Sequence, residues 1–196
     1  TAQSQFGGAS GLFDGSGDYL TPAQATGDYD YLHNKTTDYT IECWIYPTSV
    51  SGRRYIAQSV FISSTSGCLL EVIDGKLFYT IFRGVSGSFT QAQDSVATVS
   101  TNQWYHIAAS VTTTTVRIFV NGVLVNEIAW SLAGSTANSA YPFHIANETS
   151  GSNDFEGYID SLRITKGQAL YTAAFTPPTQ ALTRVGSGSL TFTRGG

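Results

Sequence analysis

Apolar and polar residues alternate along much of the chain with the two-residue period of half-buried β-strands. The stretch from Tyr39 to Tyr46 is rich in β-branched and aromatic residues, and Pro47 ends it. Its odd-numbered positions are mostly apolar, whereas its even-numbered positions mix polar side chains such as Glu42 with aromatic ones such as Trp44. The pattern predicts a strand with one face in the core and a second face that is partly covered.

Two hairpins are predicted from their turn residues. Asp74-Gly75 separates the strand-like segments 69–73 and 76–82, and Asn121-Gly122 separates segments 116–120 and 123–127. Both dipeptides tolerate the positive φ angles of a type I′ turn. Further strands are predicted at 103–111 and 157–164, and no segment keeps a helical period over three turns. Turn signals recur about every 8–12 residues, which favours an all-β sandwich or barrel.

Composition narrows the range of functions. The 196 residues are 41% hydrophobic and 13% aromatic, enough for a core, while only 12% are charged and the net charge is −4. The ten Lys and Arg residues are not clustered, so no nucleic-acid partner is expected. No apolar run approaches the length of a membrane span, so no membrane insertion is expected. We predict one domain over residues 1–185, followed by a Gly/Ser-rich tail or last strand over residues 186–196.

Several segments in order resemble one family. They are Phe13–Leu20, Tyr39–Pro47, Gln103–Ala108, Val116–Gly122 and Phe155–Ile164. Together they resemble laminin-G-like, concanavalin-A-like lectin and glucanase domains. The resemblance implies an all-β fold, a jelly roll made of two antiparallel sheets packed as a sandwich. Many such domains bind carbohydrate, some bind protein, and many carry a structural calcium ion.

The end of the chain resembles a particular variant of this family. Thr165–Tyr171 and Phe175–Pro178 are similar to segments found in bacteriophage structural and tail proteins. The resemblance implies a virion surface or an extracellular location, with other virion proteins as further partners.

A structural calcium ion is expected from the resemblance and from three acidic residues. Asp14 and Asp18 stand in a Gly-rich segment that has room to wrap an ion, and Asp160 resembles the acidic residue that such domains carry on a late strand. Calcium prefers carboxylate and carbonyl oxygens. The alternative is that Asp14 and Asp18 only stabilise turns.

A sugar-binding site is predicted in two loops. Sugars present C–H faces that stack on aromatic rings, and their hydroxyl groups pair with Asp and Asn side chains. Trp130, Tyr141 and the loop 134–138 have this chemistry, and a later loop contributes the polar groups of Asn147, Asn153 and Asp154. The alternative for each aromatic residue is packing in the core.

Catalysis is not expected. Glycoside hydrolysis needs two carboxyl groups facing one cleft, and Asp154, Glu156 and Asp160 do not have the spacing of a known motif. His106 is expected to be a hydrogen-bonded core residue. Cys43 and Cys68 are expected to be free, buried thiols, because two cysteines do not make a disulfide framework.

We therefore predict a non-catalytic, lectin-like recognition module that attaches a phage virion or a secreted surface protein to a cell-surface glycan or polysaccharide. The main alternative is a structural or protein-binding module on a virion, for which Leu190–Thr193 is a candidate docking strand. A glycoside hydrolase is the third hypothesis.

Overall fold

The computed structural model of the chain describes residues 3–60, 66–85, 88–135, 142–147, 152–182 and 192–195. Within them it contains thirteen β-strands and one short 3-10 helix, Asp30–Leu32. The strands are β1 (Gly11–Asp14), β2 (Tyr19–Pro22), β3 (Tyr39–Pro47), β4 (Arg53–Gln58), β5 (Ser66–Ile73), β6 (Lys76–Arg83), β7 (Phe89–Gln93), β8 (Tyr105–Val111), β9 (Thr115–Val120), β10 (Val123–Ala129), β11 (His144–Ile145), β12 (Glu156–Lys166) and β13 (Phe192–Gly195).

These strands form two antiparallel sheets. Sheet A has the order β1-β12-β3-β8-β9-β10, and sheet B has the order β13-β2-β11-β4-β5-β6-β7. Neighbours in each sheet are often distant in sequence, so most of the pairing is long-range. The predicted all-β jelly-roll sandwich is confirmed. The described residues include no helix that is long and apolar enough to cross a membrane.

Both predicted hairpins are confirmed. Asp74 and Gly75 have φ angles of 48° and 77°, and Asn121 and Gly122 have φ angles of 49° and 76°. The strands pair directly on either side of each turn, β5 with β6 and β9 with β10. A type I′ turn needs positive φ at both central residues, which Asn, Asp and Gly adopt at the lowest cost.

The core lies between the sheets, and β3 shows how alternation builds it. Ile41, Cys43 and Ile45 are fully buried and face sheet B. The opposite face of β3 is also largely covered, since Glu42 is fully buried and Trp44 is 9% exposed. The predicted partial covering of this face is therefore confirmed. We call the side of each sheet that points away from the core its outer face.

The chain itself covers part of the outer face of sheet A. Residues 167–178 follow β12 and cross back over this sheet. The Tyr171 and Phe175 rings stack at 3.6 Å with planes 4° apart, and Phe175 packs on Phe119 and His106 at 5.3 and 5.6 Å. The Phe175 amide donates to the Gly122 carbonyl at 2.9 Å. A Cβ on Gly122 would lie 1.9 Å from the Phe175 oxygen, so only glycine allows this approach.

A buried polar cluster lies beneath this segment. The Glu42 carboxylate contacts His106 Nε2 at 3.1 Å and accepts hydrogen bonds from Arg163 Nη2 at 2.6 Å and from the Tyr171 hydroxyl at 2.7 Å. Because an ionised carboxylate only accepts, His106 Nε2 carries the proton. Burial alone would raise the pKa of Glu42, but these hydrogen bonds outweigh it and lower the pKa from its ordinary value of 4.5. We call these residues and Phe175 the covered end of sheet A.

Strand β12 contains a β-bulge, which shifts the alternation of its side chains between the two faces of the sheet. Its register against β3 shifts between Asp160 and Arg163, and Ser161 takes a φ of 51°. This irregularity explains why Ile159 and Leu162, which are not on the same alternation, can both contact the core. The strand is longer than predicted and runs from Glu156 to Lys166.

Both cysteines lie in the core between the sheets. Cys43 and Cys68 are free and buried, as expected, and burial raises the pKa of Cys68 to about 11.

At the end of the chain, the backbone of β13 pairs with β2 of the same molecule. Residues 192–195 thus form a last strand, which was one of the two predictions for residues 186–196; Leu190 and Thr191 lie outside the described residues.

Candidate functional site

The structure brings together three of the predicted ligand-binding residues. The Asn147 side-chain amide donates to Asp154 Oδ1 at 3.1 Å, and the Asn153 carbonyl accepts from the Tyr55 amide at 2.8 Å. Asp154 Oδ2 accepts from the Gly17 amide at 2.7 Å, so this residue also anchors the loop between β1 and β2. Asn147 and Asp154 are 6% and 2% exposed, whereas Asn153 is half-buried. Asn147 and Asp154 therefore hold two loops together, and only Asn153 presents surface to a ligand.

The predicted role of Trp130 as a sugar-stacking residue is wrong. Trp130 is 2% exposed and belongs to the core between the sheets. Lys35 holds the backbone here, since its ammonium donates to the carbonyls of Trp130 and Leu132. Because it is buried, the indole ring of Trp130 is not available to stack on a ligand. Tyr141 lies outside the described residues.

Asp160 holds the N-terminal segment. Its Oδ2 accepts from the amides of Gln5 and Phe6, both at 3.0 Å, and its Oδ1 accepts from the Ser161 hydroxyl at 3.1 Å. These bonds place Phe6 against Trp44, with ring centroids 5.8 Å apart. Asp160 and Asp14 are not neighbours, because Asp14 pairs with Glu156, four residues earlier on β12. A calcium site that combines Asp14 and Asp160 does not fit this geometry.

The other two predicted calcium ligands, Asp14 and Asp18, lie at the end of β1 and in the loop that follows it. Asp14 is exposed, and its Oδ1 accepts from the Ser16 amide at 2.9 Å, which is the turn-stabilising role that was the alternative. No group of three His, Cys, Asp or Glu side chains that could hold a metal ion is found in the part of the chain that the structure describes. A calcium ion here would need backbone carbonyls for most of its six to eight oxygen ligands.

A row of aromatic rings lies on the outer face of sheet A, at the other end from the covered end. Leu12 of β1 pairs with Tyr158 of β12, and Tyr158 pairs with Tyr46 of β3. The Tyr46 ring lies 5.9 Å from the Tyr158 ring and 5.5 Å from the Trp104 ring. Leu12 is 57% exposed and the three aromatic residues are half-buried. We call these four residues the aromatic row.

Close approach of two strands makes the row continuous. Gly157 has a φ of 140°, and a Cβ at this position would lie 2.2 Å from the Tyr46 carbonyl oxygen. Any side chain here would push β12 away from β3 and separate the Tyr158 ring from the Tyr46 ring. The glycine therefore positions the row without contributing to its surface.

Polar groups border the aromatic row on both sides. On one side Asp14 and Glu156 are direct cross-strand partners, and the Thr48 hydroxyl donates to Glu156 Oε1 at 3.3 Å. On the other side lies an open cleft of about 500 Å³, lined by Leu12, Tyr158 and parts of the N-terminal segment 3–10. Apolar surface beside a few polar anchors is the usual composition of a small-molecule site.

The aromatic row was not identified from the sequence. Tyr46, Trp104 and Tyr158 fall in the predicted strands 39–46, 103–111 and 157–164, and none of them was among the predicted ligand-binding residues. Alternation along β3 does place Tyr46 on the face that points away from the core. The predicted strands and hairpins do not show which part of that face other segments of the chain cover. Long-range pairing of β1, β12, β3 and β8 brings these residues side by side.

A second polar feature lies on the outer face of sheet B. His144, Gln58, Leu69, Thr80 and Gln91 are successive cross-strand partners over five strands. Within the described residues, Gln58 Oε1 and His144 Nδ1 have no hydrogen-bond partner. Burial lowers the pKa of His144. Gln58, Leu69 and Thr80 are at most 2% exposed, so this row offers less accessible surface than the aromatic row.

The three carboxylates tested for hydrolysis do not share one cleft. Asp154 is buried against Asn147 and Gly17, Glu156 borders the aromatic row, and Asp160 bonds the N-terminal segment. An isolated parallel bridge pairs Asp154 with Tyr55 of β4, in sheet B. Glu156 and Asp160 both belong to sheet A, four positions apart on β12.

The fold and these sites define a two-sheet jelly-roll domain with lectin-like architecture. The model of the concanavalin A-like lectin/glucanases superfamily matches residues 14–172. The chain belongs to this superfamily, which confirms the resemblance to laminin-G-like, concanavalin-A-like domains. The resemblance to the bacteriophage variant stays a prediction. No curated protein matches the chain significantly.

Solved structures with the same fold come from several kinds of protein. The CBM40 of the Ruminococcus gnavus IT-sialidase superposes with a TM-score of 0.60 at 12% identity, over 80% of this chain and 92% of that chain. Domain 4 of AbnA, a GH43 extracellular arabinanase from Geobacillus stearothermophilus, has a TM-score of 0.60 at 20% identity, over 82% and 71%. Domains LG4-5 of the mouse laminin alpha1 chain have a TM-score of 0.54 at 14% identity, over 81% and 44%.

Proposed function

We propose that the chain is a non-catalytic carbohydrate-binding module. The observation that carries the proposal is the aromatic row, because it combines exposed ring surface with adjacent carboxylates on one accessible face. Sugar rings stack their C–H faces on such aromatic groups, and their hydroxyl groups donate to the carboxylate oxygens. Asn153 stays a candidate for a second polar contact at the rim of sheet B.

Proteins with the same fold support this proposal. The Ruminococcus gnavus CBM40 was solved with α2,3 and α2,6 sialyllactose, and the arabinanase domain with arabinotriose. Sialyllactose is acidic and arabinotriose is neutral, so these proteins favour carbohydrate as the ligand class but do not indicate which carbohydrate this chain binds. The separate surroundings of Asp154, Glu156 and Asp160 support a role in binding rather than hydrolysis, because hydrolysis needs two carboxyl groups facing one cleft.

The test is an array of glycans and bacterial polysaccharides, run once with calcium and once with a chelator. We expect specific binding to at least one carbohydrate by protein whose folding has been checked by circular dichroism. A folded protein that binds no carbohydrate in either condition would contradict the proposal. It would favour the structural or protein-binding alternative instead.

Calcium in the loop 14–18 stays a separate prediction. Asp14 and Glu156 are cross-strand partners of like charge, an arrangement that is unfavourable without a cation. We expect added calcium to raise the melting temperature and a chelator to reverse the rise. Asp14→Asn should abolish the response, whereas Asp160→Asn should keep it. A melting temperature that calcium does not change would remove this site.

The place where the module acts also stays a prediction. We propose a virion surface or another extracellular surface, where many weak sites on one particle would add up to firm attachment. Electron microscopy of particles labelled with an antibody to this chain would test the virion location. Labelling confined to the interior of the host cell would contradict it.

A further inference from the structure

We propose that the aromatic row binds a neutral glycan chain that runs across strands β1, β12, β3 and β8, with Asp14 and Glu156 accepting hydrogen bonds from its hydroxyl groups. The inference rests on the proposed carbohydrate-binding function. It adds the site, the direction in which the ligand lies, and the charge of the ligand.

The direction of the ligand follows from the arrangement of the row. Leu12, Tyr158 and Tyr46 lie on the neighbouring strands β1, β12 and β3 of sheet A, and Trp104 directly precedes β8, the next strand of the sheet. Since neighbouring strands are about 4.8 Å apart, four strands span about 14 Å from first to last. The row therefore extends across the strands and is long enough for several sugar units in line, which favours a chain over a single sugar.

The inclination of the rings indicates the shape of that chain. The Tyr46 plane is tilted by 79° from Tyr158 and by 59° from Trp104. Flat, crystalline polysaccharide would need coplanar rings to lie on. A stepped surface instead fits a single soluble chain whose successive sugars turn relative to one another.

The charge of the ligand follows from the carboxylates. Neither Asp14 nor Glu156 forms an ion pair among the described residues. One oxygen of each carboxylate accepts a hydrogen bond, from the Ser16 amide and from the Thr48 hydroxyl respectively. The remaining oxygens can accept from sugar hydroxyl groups. In the absence of a bound cation, the same two negative charges repel the carboxylate of an acidic sugar, and the net charge of −4 adds to the repulsion.

The surroundings of the row favour a glycan over a protein partner. Protein interfaces have an apolar core from which charged residues are depleted. Here two carboxylates border the rings directly, and polar residues of the N-terminal segment, such as Gln3 and Ser10, line the cleft on the other side. A row of rings with polar groups on both sides can contact the C–H faces of a sugar chain and also its hydroxyl groups.

The test is isothermal titration calorimetry in the presence of a chelator. The probes are cellohexaose, xylohexaose and arabinohexaose, their monosaccharides, and 3′-sialyllactose as an acidic sugar. We expect at least one neutral hexasaccharide to bind. Its monosaccharide should bind at least about tenfold more weakly, since most contacts along the row are lost. Sialyllactose should show no measurable binding.

Two pairs of variants locate the site. Tyr46→Ala and Trp104→Ala should each weaken hexasaccharide binding at least about tenfold, as expected for aromatic residues at the centre of a binding surface. Tyr46→Phe and Trp104→Phe keep a ring and should bind within about threefold of the unsubstituted chain. Phe89→Ala is the matched control, because Phe89 is an exposed aromatic residue on sheet B, 43% exposed. It should not change binding.

A charge variant tests the specificity separately. Glu156→Gln keeps the size of the side chain but removes one negative charge and replaces one acceptor oxygen with an amide donor. We expect it to weaken neutral hexasaccharide binding, because an amide oxygen is a weaker acceptor for sugar hydroxyl groups than a carboxylate, and to bind sialyllactose more tightly than the unsubstituted chain does. Unchanged exclusion of sialyllactose would mean that this carboxylate does not select for charge.

Several outcomes would overturn the inference and leave the carbohydrate-binding function intact. These are glycan binding that survives both alanine variants, sialyllactose binding equal to that of the neutral chains, or sialyllactose binding that requires calcium. Light scattering that shows a dimer abolished by Trp104→Ala would assign the row to a second copy of the chain. A protein that binds no sugar on the full array would instead contradict the proposed function itself.

Discussion

The two ends of the outer face of sheet A are built from the same strands and have different environments. At the covered end, Glu42 and His106 are fully buried beneath Tyr171 and Phe175. At the other end, Tyr46 lies on the same face of β3, Trp104 lies beside it just before β8, and both are half-buried. The difference arises from the path of residues 167–178, which cross only one end of the sheet.

This difference shows that an outward position on a strand is not the same as an exposed position. Alternation assigns Glu42 and Tyr46 to one face, since they are four residues apart on β3. A segment that follows β12 in sequence turns part of this face into a second, polar core and leaves the rest accessible. Charged groups stabilise the fold at the covered end. At the other end, which contains the aromatic row and is called the open end, aromatic rings are available to a ligand.

The largest effect is expected from breaking the covered end. Glu42→Ala leaves His106, Arg163 and Tyr171 without their shared acceptor, and removing one partner of a buried ion pair costs about 3–5 kcal/mol. We expect the free energy of unfolding, measured by chemical denaturation, to fall by this amount. Glu127→Ala is the control, because Glu127 pairs with Arg117 at the surface and such pairs contribute about 0–1 kcal/mol. Equal losses for the two variants would contradict the covered-end interpretation.

A smaller effect is expected from moving the covering segment. Gly122→Ala and Gly52→Ala both place a side chain at a positive φ, 76° and 66°, and each carries a backbone cost of about 1–2 kcal/mol. Gly52 has no atom within 4 Å of the added Cβ, whereas at Gly122 the Phe175 oxygen lies 1.9 Å away. We therefore expect Gly122→Ala to be the more destabilising variant. It should also speed hydrogen exchange at the Phe175 amide, which Gly52→Ala should leave unchanged.

The open end should separate stability from binding. Tyr46→Ala changes a half-buried ring on the same strand face as Glu42, and we expect a loss of about 1 kcal/mol in the free energy of unfolding. The same variant should lose the glycan, as measured by calorimetry. If Tyr46→Ala lowered the free energy of unfolding as much as Glu42→Ala, this would contradict the interpretation that the covered end stabilises the fold and the open end binds a ligand.

The smallest effect is a change of stability with pH at the covered end. The folded-state pKa of Glu42 lies below its ordinary value of 4.5. Its ionised form therefore contributes stability that is fully present above 4.5 and is lost as the pH falls through the folded-state pKa. The difference in free energy of unfolding between the unsubstituted chain and Glu42→Gln should shrink in that acidic range and stay constant above it. A difference that is the same at every pH would contradict this assignment.

Much of the fold could be predicted from the sequence, because the signals are local. Asp74-Gly75 and Asn121-Gly122 define their hairpins through the backbone angles that these residues tolerate. The β3 alternation predicts both a core face and a partly covered face. The position of Trp130 could not be predicted, since a Trp at the end of a strand is compatible with either core or surface. Only the packing around it showed that the ring is buried.

The site was predicted less well than the fold, for a physical reason. Asp14, Asp18 and Asp160 were grouped by their chemistry, but the register of β12 separates Asp14 from Asp160, and these two carboxylates accept from different backbone amides. The sequence by itself determined the strands with clear alternation or hairpin turns, the family and the low charge. The tertiary structure alone decided which outward residues stay accessible, because long-range strand pairing and the path of the covering segment depend on contacts between residues far apart in the chain.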